Sequence, residues 1–170
     1  MTAPPGSARV EVRLAMPGDA ESIRRIYNAE VTGSTATFDI EPRDAEAQRD
    51  WMERHQGAHP AVVAVASGRV VGFGSLSRYR DRPAYATTVE DSVYVERQVR
   101  SGGIGGMLLG QLVTLARDHG FHTVVARIGS SNEASVRLHA SCGFEVVGIE
   151  REVGRKFGQW LDVTIMQLIL

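Results

Sequence analysis

The sequence predicts a single α/β domain of the mixed (α+β) kind, built on a central β-sheet. Three observations carry that prediction. Segments with apolar residues at every second position alternate with segments repeating every third or fourth, in the order β-α-α-β-β-β-α-β-α-β-β. A turn at Ser67, Gly68 and Arg69 joins two apolar strands as a hairpin, which makes part of the sheet antiparallel. A strand, a glycine-rich turn and an amphipathic helix run contiguously from Thr87 to Leu115, the makings of a near-parallel crossover.

Taken in order, Val10, Val12 and Leu14 alternate with Glu11 and Arg13 as a first strand, ended by Pro17 and Gly18. Asp19 is placed to cap a helix whose apolar stripe is Ile23, Ile26, Tyr27 and Val31. Gly33 to Phe38 reads as a loop, and a polar helix after Pro42 turns Trp51 and Met52 inward. Ala61 to Ala66 and Val70 to Ser77 form the hairpin, and Arg78 to Pro83 is a polar connection. Thr87 to Val95 is the next strand, followed by a helix with Ile104, Leu108, Leu112 and Leu115 on one side. Gly120 stops that helix, Thr123 to Ile128 is a buried strand, and Ser131 or Asn132 caps a short helix ending at Gly143. Phe144 to Gly148 and Asp162 to Leu170 are the expected closing strands.

The chain has 170 residues, 43% hydrophobic and 23% charged, enough for one core without a second domain. Residues 9–170 form that domain, and residues 1–8, with Pro4, Pro5 and Gly6, read as a flexible tail. A net charge of -1 gives no overall attraction to nucleic acid or to an anionic membrane. The chain shows no signal-peptide run and nothing near the ~20 apolar residues that span a bilayer. Cys142 is the sole cysteine, which excludes an intrachain disulfide and fits a reducing, cytoplasmic setting. His55, His59, His119 and His122 are too scattered to suggest a metal site, and none is expected.

The strongest local motif is RSGGIG, Arg100, Ser101, Gly102, Gly103, Ile104 and Gly105, between the strand ending at Val95 and the amphipathic helix. Glycines let the backbone turn with its amides inward, and a helix N-terminus adds unpaired N–H groups, a combination suited to a pyrophosphate. Arg97 and Arg100 flank the loop and are available for charge-assisted bonds. A P-loop would carry Lys and Ser or Thr after the last glycine, whereas Gly106 and Met107 follow here. A dinucleotide fold would place the turn after the first strand of a parallel set.

RSGGIG resembles the pyrophosphate loop of the GNAT superfamily of N-acetyltransferases. YNAEV (Tyr27–Val31), STATF (Ser34–Phe38), TVEDSVYV (Thr88–Val95), NEASVRLHASCGF (Asn132–Phe144) and VGRKFGQWLD (Val153–Asp162) resemble its phosphinothricin and methionine sulfoximine N-acetyltransferase branch. The resemblance covers nearly the whole chain after the tail. It implies the GNAT fold, a mixed central sheet with a V-shaped splay between two strands and helices on both faces. It further implies acetyl-CoA in that splay, its pantetheine paired to the backbone around Val93, Tyr94 and Val95 and its pyrophosphate on the Arg100–Gly105 amides. Asn132 stands where the family hydrogen-bonds the cofactor arm, with Ser135 one turn on; Asn132 is equally a good helix cap, and the roles are compatible. A homodimer is the family's usual state.

Acetyl transfer to an amine needs a group that takes the amine's proton and amides that stabilise the oxyanion. Strand alternation sets Thr88, Glu90 and Ser92 on one face and Val89, Asp91 and Val93 on the other. Glu90 alone could be a solvent-facing carboxylate, but the resemblance implies that it is the base. His139 is the second catalytic candidate, as acid to the thiolate or as helper to Glu90, against the reading of a packed helix histidine. Tyr94 is a lesser acid candidate, and Cys142 reads as packing.

Arg78, Arg80 and Arg82 cluster before the Glu90 strand, and a guanidinium fork suits the acid group of an amino-acid-like acceptor. The resemblance singles out Arg80 and Arg82, with Phe38 and Tyr85 as pocket walls. Lys156 reads as an exposed loop lysine, or as one meeting cofactor phosphate or a second subunit. Two other functions stand beside this one: a GNAT enzyme for a polyamine, aminoglycoside or protein N-terminus, and a non-catalytic acetyl-CoA sensor. The arginine cluster argues against cationic acceptors, and Glu90 with His139 argues against the sensor.

Overall fold

A computed structural model describes residues 9–100, 102–129 and 131–170. The expected tail, residues 1–8, lies outside that range. The elements are β1 (Val10–Leu14), α1 (Ala20–Gly33), α2 (Ala45–Arg54), β2 (Ala61–Ala66), β3 (Arg69–Arg78), β4 (Thr88–Val95), α3 (Ile104–Asp118), β5 (Thr123–Gly129), α4 (Glu133–Ser141), β6 (Glu145–Lys156) and β7 (Gln159–Ile169). The strands form one sheet in the order β1-β2-β3-β4-β5-β7-β6. Neighbours are antiparallel except β4 and β5, which run parallel and pair only from Thr88↔Thr123 to Glu90↔Val125. Beyond Glu90 the two strands separate, which opens the expected splay. Among the described residues no helix is long and apolar enough to cross a membrane.

Each face of the sheet buries its own apolar layer. On one, Leu108, Leu109 and Leu112 of α3 pack on Val62, Leu76, Val89, Val124 and Met166. The helix sits close because Gly74 has no side chain: a Cβ there would stand 2.9 Å from Leu112 Cδ1. On the other face, Ile23, Ile26, Tyr27 and Val31 of α1 and Trp51 of α2 pack on Val63 and Phe73. Each fully buried Leu, Ile or Phe contributes about 1.5–3 kcal/mol, so both layers are needed to hold β4 between them.

Two expectations change. Asp19 is the residue before α1, but its side chain accepts from Arg13 Nη1 (2.7 Å), Arg13 Nη2 (2.9 Å) and the Met16 amide (2.8 Å), and does not cap the helix. A guanidinium within reach outcompetes a helix amide for a carboxylate. The closing strands are also longer than expected. β6 and β7 form one long hairpin around Phe157 (φ 50) and Gly158 (φ 75), two successive left-handed residues that make a tight hairpin turn.

Candidate active site

Where β4 leaves β5, a cleft of about 510 Å³ opens among Val93, Tyr94, Val95, Arg100, Gly103, Ile104, Gly105, Gly106, Asn132, Ser135 and Leu138. With β5 gone, the backbone of Asp91–Val95 faces this gap on one side while it stays paired with β3 on the other. The loop before α3 fits an anion in form. Gly103 holds φ 75, which brings the chain into the helix, and the first intrahelical bond from beyond the turn is Met107 N to Gly103 O at 3.1 Å. Among the described residues no acceptor meets the amides of the first turn, which are therefore open to a ligand. Gly105 is needed for contact: a Cβ would lie 3.0 Å from Leu138 Cδ2 of α4. Gly102 has no left-handed φ and no tight neighbour, and Ser101 lies outside the described residues. Gly106 joins the cleft although the motif ends at Gly105.

Asn132 caps α4 by accepting from the Ser135 amide at 3.1 Å, and it lines both the large cleft and a smaller pocket deeper between β4 and β5. That pocket is walled by Asp91, Ser92, Arg127, Ile128, Gly129 and His139, among others. His139 is buried, with Nδ1 2.7 Å from Ser135 O and Nε2 2.9 Å from Asp91 Oδ2. Burial pulls the imidazole's pKa down, but the Asp91 hydrogen bond and charge overcome it and leave it above the ordinary 6.5. Both nitrogens are thus occupied, the arrangement of a packed histidine and not of a free acid awaiting a thiolate.

Glu90 lies at the crotch of the splay, on the face opposite Asp91. Among the described residues its carboxylate accepts no hydrogen bond. Burial raises its pKa above the ordinary 4.5, and Arg127 and Arg80 counteract this while Asp91 and Glu150 add to it. A desolvated carboxylate without a donor partner is poised to take a proton. Two residues along β5 from Val125, Arg127 faces the same side and pairs with Glu150 of β6. Neither was found from sequence, because each sits on a different strand and only the sheet order unites them.

Of the acceptor candidates, Arg80 lies over the rings of Tyr79 (5.0 Å) and Tyr85 (5.6 Å), which meet edge-on, and it acts electrostatically on both Glu90 and Glu150. Arg82 is exposed at the start of the short turn Pro83–Tyr85 and is not brought to Glu90; Arg78 is exposed beside Asp81. Phe38 leans from the α1–α2 loop onto β6, where a Cβ at Gly154 would stand 2.2 Å from its Cε2. Lys156 corrects the expectation of an exposed loop lysine: it is 3% exposed, and its Nζ donates to Thr37 O at 2.7 Å. The long β6–β7 hairpin brings it under that loop. Tyr94 stacks on Phe73 at 5.2 Å and meets Tyr27 edge-on at 5.3 Å, and burial pushes its hydroxyl pKa up, which disfavours its ionisation.

Glu30 was also missed. It lines the large cleft at 3% exposure and accepts from Arg97 Nε (3.1 Å), Arg100 Nη2 (2.7 Å) and Ser34 Oγ (2.6 Å). A signal was present, since Glu30 stands four residues after Ile26 on the apolar stripe of α1, where a charge needs partners.

Residues 21–144 match the profile of the acetyltransferase (GNAT) family. A phosphinothricin N-acetyltransferase of Streptomyces coelicolor is 41% identical over 163 residues, covering 94% of this chain and 95% of that protein. An L-methionine sulfoximine/L-methionine sulfone acetyltransferase of Pseudomonas aeruginosa is 41% identical, with 94% of each covered. Among solved structures, a GNAT superfamily phosphinothricin acetyltransferase from Sinorhizobium meliloti in complex with AcCoA aligns with a TM-score of 0.90 at 36% identity, over 95% of this chain and 88% of that one.

Proposed function

The chain belongs to the acetyltransferase (GNAT) family and is an acetyl-transferring enzyme, and from that premise we propose that it moves the acetyl group of acetyl-CoA to the α-amine of a small amino-acid-like acceptor of the phosphinothricin or methionine sulfoximine type. The observation that carries this reading is Glu90, a half-buried carboxylate without a hydrogen-bond partner among the described residues, on the last residue of β4 that pairs with β5 before the splay opens. The residues fit acetyl-CoA: the open amides of Ile104, Gly105 and Gly106 suit its pyrophosphate, the free edge of β4 at Val93–Val95 its pantetheine, and Asn132 and Ser135 its arm. What the coenzyme supplies is an activated thioester.

Glu90, directly or through a water, takes the proton of the acceptor's ammonium group, and the free amine attacks the thioester carbonyl; as the C–N bond forms and the C–S bond breaks, coenzyme A leaves as its thiolate, which takes up the second proton that the nitrogen sheds. Open amides along β4 are suited to the charge that develops on the carbonyl oxygen. Arg80, with Arg127 beside it, is suited to the acceptor's acid group, and Phe38 and Tyr85 to its side chain. His139 serves this reading by pinning α4 to β4 through Asp91, which keeps Asn132 and Ser135 at the cleft. A homodimer accords with the apolar side chains left exposed on β6, the β6–β7 turn and β7, namely Val147, Ile149, Val153, Phe157 and Trp160.

Release of free thiol from acetyl-CoA, followed across phosphinothricin, methionine sulfoximine, polyamines and aminoglycosides, tests the acceptor. Turnover is expected with the two acidic amino-acid analogues, and Arg80→Ala should raise their KM about tenfold, the usual loss for one charge-assisted contact. Turnover confined to the cationic amines would overturn the acceptor assignment and leave the transfer chemistry standing.

A further inference from the structure

Arg97 and Arg100 flank the anion loop, yet their guanidinium groups are turned to Glu30. A buried carboxylate beside a phosphate site is an electrostatic liability, because it repels the ligand and cancels the nearby positive charge. Its contacts point to a mechanical part. Arg100 Nη2 holds Glu30 at 2.7 Å while Nε of the same guanidinium donates to Val95 O at 3.0 Å, which ties the end of β4 to the end of α1 where the loop begins. Arg97 closes over Gly33, where a Cβ would stand 2.9 Å from its Nη2. Ser34 Oγ donates to the same carboxylate at 2.6 Å and accepts from the Ala36 amide at 3.1 Å, at the start of the segment that carries Thr37 and Phe38.

We infer that Glu30 is a positioning residue for acetyl-CoA: it holds the entrance of the phosphate loop in shape, and the pyrophosphate is left to backbone amides and not to Arg97 or Arg100. The inference rests on the reading of this cleft as the acetyl-CoA site. Its sign separates it from a charge effect. Removing a negative charge beside a phosphate site strengthens binding if charge alone matters, and weakens it if position matters.

Coenzyme A titrated by calorimetry into wild type, Glu30→Gln and Arg100→Ala decides between them. Kd is expected to rise at least about tenfold in Glu30→Gln, as when one partner of a hydrogen-bonded charge pair is lost. KM for acetyl-CoA should rise in step, while kcat at saturation stays within about twofold. Glu30→Asp, which keeps the charge, should fall between wild type and Glu30→Gln. Arg100→Ala removes the same tie from the surface side, so the double variant should bind no more weakly than the worse single one. A Kd that is unchanged or lower in Glu30→Gln overturns the inference, and so does additivity in the double variant. Absence of coenzyme A binding by wild type would overturn the cleft reading as well, which distinguishes the two failures.

Discussion

Glu90 and Asp91 are consecutive residues of β4 on opposite faces of the sheet, and their surroundings have little in common. Asp91 points toward α4, where one oxygen bonds His139 at 2.9 Å and the other, Oδ1, is buried without a partner among the described residues. Glu90 points the other way, beside the gap, with charges near it but no donor on it among the described residues. Asp91 is buried and Glu90 half-buried. Asp91, bonded to the His139 imidazole, fastens a helix to the sheet; Glu90, with no such partner among the described residues, is the one proposed to take a proton. The boundary between them is the residue at which β5 stops pairing: Asp91 lines the smaller pocket of the splay, while Glu90 stands on the last paired position of β4, next to it.

The contrast breaks most visibly at Asp91. Asp91→Ala leaves the buried imidazole uncompensated and should cost about 3–5 kcal/mol of stability, read by urea unfolding. The pH dependence has a definite sign. His139 has a folded pKa above its ordinary 6.5, so the pair's contribution is fully present below pH 6.5 and is lost as pH rises through the folded value. The deficit of the variant should accordingly be largest near pH 6 and narrow in alkali; a deficit independent of pH would mean that the pair is not charged.

A smaller effect is expected on the acceptor side. Gly154→Ala puts a methyl group into the ring of Phe38, an overpacking worth about 1–3 kcal/mol unless the ring moves. KM for the acceptor should rise while KM for acetyl-CoA holds; if neither changes, Phe38 is not a wall of the acceptor pocket.

The smallest effect sharpens the contrast from Glu90 itself. Its folded pKa is raised, so stability is lost as pH rises from the ordinary 4.5 through the folded value, above which the full cost is present. Glu90→Gln should therefore unfold no more easily than wild type at pH 8, and any gain should fade below pH 4.5, in thermal melts. A clear loss of stability at pH 8 would assign Glu90 a partner.

Much of this was legible in the sequence. The order of strands and helices followed from periodicity, and alternation along Thr88–Val95 already put Glu90 and Asp91 on opposite faces. What escaped was pairing across distance. Asp91 meets His139 48 residues on, and Glu30 meets Arg97 and Arg100 67 and 70 residues on, separations about which local spacing says nothing. Lys156 was misplaced for a related reason: GRKFGQW looks like a loop until Phe157 and Gly158 are known to form a tight turn. The charge cluster of Arg80, Arg127 and Glu150 around Glu90 depends on the strand order, which brings Arg127 of β5 and Glu150 of β6 near it, whereas Arg82 had the right chemistry and an exposed position.

The proposed role of Glu90 as the base is tested most directly by kcat/KM for the acceptor as a function of pH in wild type and Glu90→Gln at saturating acetyl-CoA. The wild-type profile should fall off on the acid side at a pH above the ordinary glutamate value, because Glu90 must lose its proton to work. In Glu90→Gln that acid limb should vanish and kcat/KM should drop about 10²–10⁴-fold, the usual contribution of a positioned base. A variant that keeps wild-type kcat/KM and the same acid limb would contradict the claim.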